Sequence, residues 1–239
     1  MSIRGCAGVI LLPLFFVASI SHAGLQLGGR TVEQTYEDPK VASLVNAAVD
    51  GHVAEVERLI AAGAHPNTVG KDGTTPLFWA LNSKSTPGVE ALLKAGADTG
   101  KVTPQSRGYS SMALVSGGNN PELLALLLRY KGDANGLNAA TIKTKPLYLA
   151  AAQGRLQNVK LLLDAGADVN VHDDTGLSAA TVAAAMGEFE IVSLLLDRGY
   201  TYDLGSLAKD TRIIKAFSTP DGPAWKAKVI DKLKSKGVN

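Results

Sequence analysis

Cysteine is nearly missing from this chain: among 239 residues there is one, Cys6, close to the N-terminus. No disulfide framework and no cysteine-based metal site can be built from it. Aromatic residues make up only 5%, low for a globular enzyme but natural where helices meet through Ala and Leu. An excess of one charge is lacking too, since 24 Lys and Arg oppose 22 Asp and Glu for a net charge of +2. That balance removes the electrostatic reason to expect a nucleic-acid partner. Also absent are the H-E-x-x-H, G-x-x-x-x-G-K-[ST] and G-x-S-x-G patterns of metalloproteases, nucleotide hydrolases and serine hydrolases. Gly24 with Gly28-Gly29 has the wrong spacing for a dinucleotide loop, and no predicted strand leads into it. The chain is thus expected to hold no cofactor and no metal.

The N-terminus has the layout of an export leader. Met1-Ser2-Ile3-Arg4 gives a positive start, Val9 to Ile20 is a largely apolar run, and Ser21-His22-Ala23 places small residues where a signal peptidase reads them. The run is too short to span a bilayer comfortably, so a cleavable signal (1–23) is expected rather than an anchor. Cleavage after Ala23 leaves a chain beginning at Gly24, without cysteine, in a periplasm. Cys6 precedes the apolar run, which is the wrong side for lipid attachment.

What the sequence does have is a period. Five times a leucine-rich helix end runs into a glycine: Leu59-Ile60 with Gly63, Leu92-Leu93 with Gly96, Leu127-Leu128 with Gly132, Leu162-Leu163 with Gly166, and Leu195-Leu196 with Gly199. The glycines lie 33, 36, 34 and 33 residues apart. Such a period means one supersecondary unit copied and stacked, each copy too small to bury its apolar face alone. The second unit reads Lys71-Asp72-Gly73-Thr74-Thr75-Pro76-Leu77-Phe78-Trp79-Ala80, then Val89-Glu90-Ala91-Leu92-Leu93-Lys94-Ala95-Gly96-Ala97-Asp98. Thr75 is placed to cap a helix, Pro76 to open it, Leu77 and Ala80 to face inward, and Gly96 to end the second helix in a left-handed conformation.

In these residues the chain resembles the ankyrin repeat, whose pattern is D-x-x-G-x-T-P-L-H-x-A-A followed by G-x-x-x-x-V-x-x-L-L-x-x-G-A-D-x-N. The fourth unit is similar from Lys145-Pro146-Leu147 through Gly166-Ala167-Asp168-Val169-Asn170, and the fifth keeps Asp173-Asp174-Thr175-Gly176. The resemblance implies an all-α repeat solenoid of stacked helix-turn-helix units with turn or hairpin fingers. Its parts are an extension (24–37), five repeats (38–203, at about 38–69, 70–102, 103–138, 139–172 and 173–203) and C-terminal capping helices (204–239). Asp38-Pro39 is the expected start of the first repeat. The third unit departs most: Ser110-Ser111-Met112 replaces Thr-Pro-Leu, Gly117-Gly118-Asn119-Asn120-Pro121 forms the inter-helix turn, and one residue reads as inserted before Gly132. Helices are expected over 204–217 and 223–236, where eight basic and three acidic residues follow from Lys209 onward. The plain reading of that excess is a solvated outer face.

Asp50, Asp173 and Asp174 are carboxylates available to acid–base chemistry in principle. Asp173 falls at the turn position, where its side chain is expected to bond nearby backbone N–H groups instead. His52, His65 and His172 form no metal spacing.

Ankyrin proteins usually bind partners through the finger tips and the first-helix face. Carried over by register, that implies Lys71, Asp72, Thr74, Trp79, Asn82 and Ser83 in the second unit. The third contributes Arg107 and Tyr109, the fourth Thr141, Lys143, Tyr148 and Gln153, and the fifth His172, Asp174, Thr175, Leu177 and Met186. Trp79 is the expected anchor and Phe78 the expected core residue, because aromatic side chains dominate binding hot spots. Tyr148 takes the position usually held by histidine, and both a core and a surface role are open to it.

The functional expectation is a non-enzymatic exported protein that binds one protein partner, as an inhibitor or immunity protein against an exported toxin or hydrolase. The alternatives are an accessory or stabilising partner of a periplasmic enzyme, such as an antioxidant enzyme, or a secreted effector binding a host protein. No stable membrane insertion is expected once the signal is removed.

Overall fold

The computed structural model describes residues 26–27, 29–136 and 141–238, so the expected leader (1–23), its expected cleavage after Ala23 and the start of the expected fourth repeat lie outside the described residues. The chain forms two compact units that divide between Ala95 and Gly96.

The first unit opens with a hairpin, β1 (Gln26–Leu27) and β2 (Arg30–Thr31), in antiparallel register with Leu27 opposite Arg30. A single turn, α1 (Val32–Thr35), follows. Then come two helix pairs: α2 (Pro39–Asp50) with α3 (Val53–Ala61), and α4 (Pro76–Asn82) with α5 (Thr86–Lys94). The second unit continues with α6 (Ser111–Gly117) and α7 (Pro121–Arg129), α8 (Pro146–Ala152) and α9 (Leu156–Asp164), α10 (Ala179–Ala185) and α11 (Phe189–Asp197), and ends with α12 (Leu204–Ile213) and α13 (Gly222–Ser235).

The helices start where the sequence supplies caps. Asp38 accepts from Lys40 N–H at 2.8 Å, Thr75 from Phe78 N–H at 3.4 Å, Ser110 from Ala113 N–H at 3.1 Å and Asn120 from Leu123 N–H at 3.1 Å. Each satisfies one of the orphan donors of a first turn. Pro39 and Pro76 open their helices as expected, Pro146 does so at the matching position of the fourth repeat, and Pro121, read from the sequence as part of the inter-helix turn, is the first residue of α7. Inside each pair the short helices meet through Ala and Leu. Leu77, Ala80 and Leu92 are fully buried in the first unit, as are Ala150, Val159, Leu162, Ala180 and Leu195 in the second.

The glycine ladder is corrected at its third rung. Gly63, Gly96, Gly166 and Gly199 all have positive φ, but in the third repeat the left-handed residue is Lys131, at φ 64, and Gly132 is one step further on. Gly132 N–H bonds Leu127 O at 2.9 Å, just as Ala64 bonds Leu59 O and Ala167 bonds Leu162 O. No residue is inserted before Gly132; a lysine has taken the glycine's place and a glycine the alanine's. A Cβ on Gly132 would lie 2.8 Å from Leu127 O and 3.0 Å from Met112 Sδ, so that site has no room for one.

Counted from the left-handed residue, the helical parts keep step and the fingers vary. The interval to the next helix cap is 12 residues from Gly63 to Thr75 and from Gly166 to Ser178, but 14 from Gly96 to Ser110 and from Lys131 to Lys145. The third and fourth fingers are thus equally long, and each carries a capped 3-10 turn, Pro104–Ser106 and Ile142–Thr144. At the C-terminus α12 stops at Ile213, short of the expected Phe217, because Lys226 Nζ bonds the carbonyls of Arg212 and Ile214 and ends the helix there.

Candidate functional site

The fingers are built from side chains that close on their own backbone. Asp72 Oδ1 accepts from Thr74 N–H at 2.9 Å and from its hydroxyl at 2.7 Å. Asp173 Oδ1 does the same with Thr175, at 3.0 and 2.7 Å, and also accepts Leu177 N–H at 3.0 Å. The Thr175 hydroxyl holds the Asp173 carboxyl below its ordinary value, with help from the Leu177 and Thr175 amides and the positive charge of Lys143. The turn role expected of Asp173 is therefore the one it has. His65 stands where other repeats carry aspartate, and its Nδ1 accepts Asn67 N–H at 3.1 Å.

In the second unit two asparagines tie neighbouring fingers together. Asn135 accepts Asp168 N–H at 2.7 Å and donates to Gly166 O at 3.2 Å. Thirty-five residues on, Asn170 accepts Thr201 N–H at 2.8 Å and Tyr202 N–H at 3.1 Å and donates to Gly199 O at 3.3 Å. Each amide thereby fixes the outgoing turn of the following repeat.

On this frame the expected surface residues divide. In the first unit Lys71 is exposed and paired with Glu37 at 3.1 Å, a solvent-screened contact. The Thr74 hydroxyl gives its proton to Asp72 and accepts Trp79 Nε1–H at 2.8 Å, while its carbonyl accepts Gly70 N–H at 2.8 Å and the Tyr36 hydroxyl at 3.2 Å. Ser83 donates to Ala80 O at 2.9 Å, and Asn82 Nδ2 is buried without a hydrogen-bond partner.

Trp79 is not an exposed anchor. It is 0% exposed, in a cluster with Leu27, Val32, Tyr36, Val41, Ala42 and Val45, while Phe78 lies half-buried at the margin. The anchor role expected of Trp79 is overturned because the N-terminal extension covers it, while Phe78, expected in the core, packs at the core's edge. Tyr148, at 2% exposed, is also core, which settles its two readings in favour of packing.

The remaining residues of the second unit are accessible. Arg107, Thr141, Lys143, His172, Asp174 and Thr175 are exposed on fingers, and Tyr109, Gln153 and Leu177 are half-buried. Arg107 sits at φ 53, turned outward by the third finger's 3-10 turn. His172 stacks on Tyr202 with ring centroids 3.5 Å apart and planes 13° off parallel. Met186 caps α10 and is 43% exposed. Sequence reading missed Tyr202, whose ring is placed by the Asn170 bracket, and it missed the part taken by residues 26–36. The second was signalled: Thr31-Val32-Glu33-Gln34 is a capping box, with Thr31 N–H to Gln34 Oε1 at 2.9 Å and Gln34 N–H to Thr31 Oγ1 at 3.3 Å. No group of three or more His, Cys, Asp or Glu placed to hold a metal occurs among the described residues, and no helix among them is long and apolar enough to cross a membrane.

Comparison with known proteins agrees with this architecture. Models for ankyrin repeats match residues 44–93 and 111–205, together more than half of the chain. The chain is 35% identical to the ankyrin repeat protein nuc-2 of Neurospora crassa over 142 residues, 59% of this chain and 13% of that protein. It is 29% identical to the B-cell lymphoma 3 protein homolog of Mus musculus over 216 residues, 88% of this chain and 45% of that one. It is 30% identical to the phosphocholine transferase AnkX of Legionella pneumophila over 128 residues, 53% and 13% respectively. In each case the chain spans less than half of the relative's length. Ankyrin repeats are generally non-catalytic modules for contact with other proteins, and that protein-binding role extends to this chain. With helix pairs, left-handed helix ends and finger brackets all in register, the chain belongs to the ankyrin-repeat proteins.

Proposed function

We propose that this protein is an exported, non-enzymatic binder that works in the periplasm as an inhibitor or immunity protein, occluding an exported toxin or hydrolase. The observation that carries the reading is the finger surface of the second unit. There Arg107, Lys143, Asp174 and the His172–Tyr202 stack are presented on hydrogen-bonded turns, with Met186 exposed at the end of α10. A cation, an anion, a stacked aromatic pair and a flexible thioether on one repeat array suit a protein surface better than a small molecule. The leader-like residues 1–23 support export, and a small binder without an identified reactive centre suits occlusion.

The test is capture from envelope extracts that contain secreted hydrolases, using the processed chain beginning at Gly24. One partner is expected in stoichiometric amount, with its hydrolytic activity reduced at least tenfold in the complex. A triple variant, Arg107→Ala/His172→Ala/Met186→Ala, is expected to melt like the parent and bind about a hundredfold more weakly, since hot-spot residues carry most of an interface's free energy. Equal capture by both proteins moves the interface elsewhere. A chain found in the cytosol with Met1 retained removes the exported role altogether.

A further inference from the structure

The N-terminal extension lies where a ligand would. Its hairpin and α1 bring Leu27, Val32 and Tyr36, all buried, against Val41, Ala42 and Val45 of α2 and against Trp79 of α4, with Val49 and Phe78 at the edge. Helices α2 and α4 are the first helices of repeats one and two, and their faces are those through which such an array contacts partners. The extension is not itself a repeat, so it occupies this face as a segment added to the stack.

Its docking is specific. Lys71 N–H donates to Thr35 O at 3.0 Å, the Tyr36 hydroxyl donates to Thr74 O at 3.2 Å, and Asn46 Nδ2 donates to Glu33 Oε1 at 2.9 Å. Gly70 is shaped to admit it, because a Cβ there would lie 2.3 Å from Thr35 Cγ2. Its docking is also imperfect. Thr35 is 1% exposed, yet its hydroxyl is buried without a partner, a penalty present only while the segment is seated. Three large side chains on a short segment, held against a tryptophan with one polar group left unpaired, describe a ligand that can be displaced.

We propose that Leu27–Tyr36 is a self-ligand that reversibly masks a Trp79-centred apolar face on repeats one and two. The partner chemistry this face fits is a short folded segment, a hairpin running into a helical turn, that presents aliphatic residues and a tyrosine, as the chain's own segment does. This second surface is independent of the finger surface proposed above, and its test needs no partner.

The experiment uses the chain from Gly24 onward with Trp225→Phe, so that Trp79 is the sole tryptophan reporter, and the probe is a synthetic peptide of residues 24–37. Introducing Tyr36→Ala is expected to raise acrylamide quenching of Trp79 at least threefold and shift its emission to the red, with far-UV ellipticity kept. Added peptide is expected to reverse both changes saturably, and a scrambled peptide to reverse neither. A peptide carrying Thr35→Val, which removes the unpaired hydroxyl without changing shape, is expected to bind about tenfold more tightly. Unchanged quenching in the Tyr36→Ala chain overturns the proposal. So does loss of helical signal, which would make the segment integral to the fold, and so does a peptide that fails to reverse the change.

Discussion

At the scale of single residues, the third repeat shows how a backbone conformation outlasts the residue type that favours it. Lys131 holds φ 64 where four other repeats have glycine, and a non-glycine residue in that region costs about 1 kcal/mol. It is tolerated because Tyr130 and Lys131 still bond back to Leu126 O and Leu128 O, at 3.2 and 3.0 Å. The next residue carries the opposite demand, with Leu127 O and Met112 Sδ filling the space a Cβ on Gly132 would need. Lys131→Gly is therefore expected to stabilise the protein by up to about 1 kcal/mol, and Gly132→Ala to destabilise it by about 1–3 kcal/mol. Urea denaturation of the two variants checks the pair. Equal and small effects at both positions would show that the left-handed residue has been misplaced.

At the scale of elements, sequence and structure agree where a local signal is enough. Asp38, Thr75, Ser110 and Asn120 announce helix starts because a short polar side chain can reach its own first-turn amides. The burial of Trp79 had no such signal. It depends on residues 26–36, some fifty positions earlier, and register with other ankyrin repeats says nothing about a segment outside the repeat. The turn Gly117–Asn120 was equally opaque, since its explanation comes from the fourth repeat. Asn158 on α9 is 1% exposed, and its amide donates to Ser116 O at 2.8 Å and Gly118 O at 2.9 Å, while Arg155 Nε donates to Gly117 O at 3.2 Å. A glycine-rich turn that looks degenerate in sequence is a row of carbonyls received by one buried amide and one guanidinium. Replacing that amide, as in Asn158→Leu, leaves the carbonyls unpaired and is expected to cost about 2–4 kcal/mol. Asp at the same place keeps the shape but offers no donor, so it should be at least as damaging. If both variants melt within about 0.5 kcal/mol of the parent, the turn does not depend on Asn158.

At the scale of the molecule, a stack of repeats is stable only if its last apolar face is closed. In the second unit that closure falls to α12 and α13. Leu207, Val229 and Leu233 are essentially fully buried, and α11 takes α13 against it. Lys232 Nζ ties the pair to α11 through Asp197 Oδ1 at 2.6 Å and Ser193 O at 3.3 Å. Phe217, on the connection, meets Phe189 with ring centroids 5.9 Å apart. The lysines of the basic C-terminus therefore include structural ones on α13, Lys226 bonding the end of α12 and Lys232 bonding α11, which qualifies their reading as a solvated face. Burial of one large apolar side chain brings about 1.5–3 kcal/mol. A chain ending at Asp203 keeps the Asn170 bracket on Thr201 and Tyr202 but loses all of this cover. It is expected to lose at least about 3 kcal/mol of stability, to bind a hydrophobic dye and to self-associate through the exposed face of α11. Light scattering and urea denaturation decide the matter. A monomeric truncated chain with the parent's midpoint would show that the fifth repeat closes the stack unaided, leaving α12 and α13 free for another task.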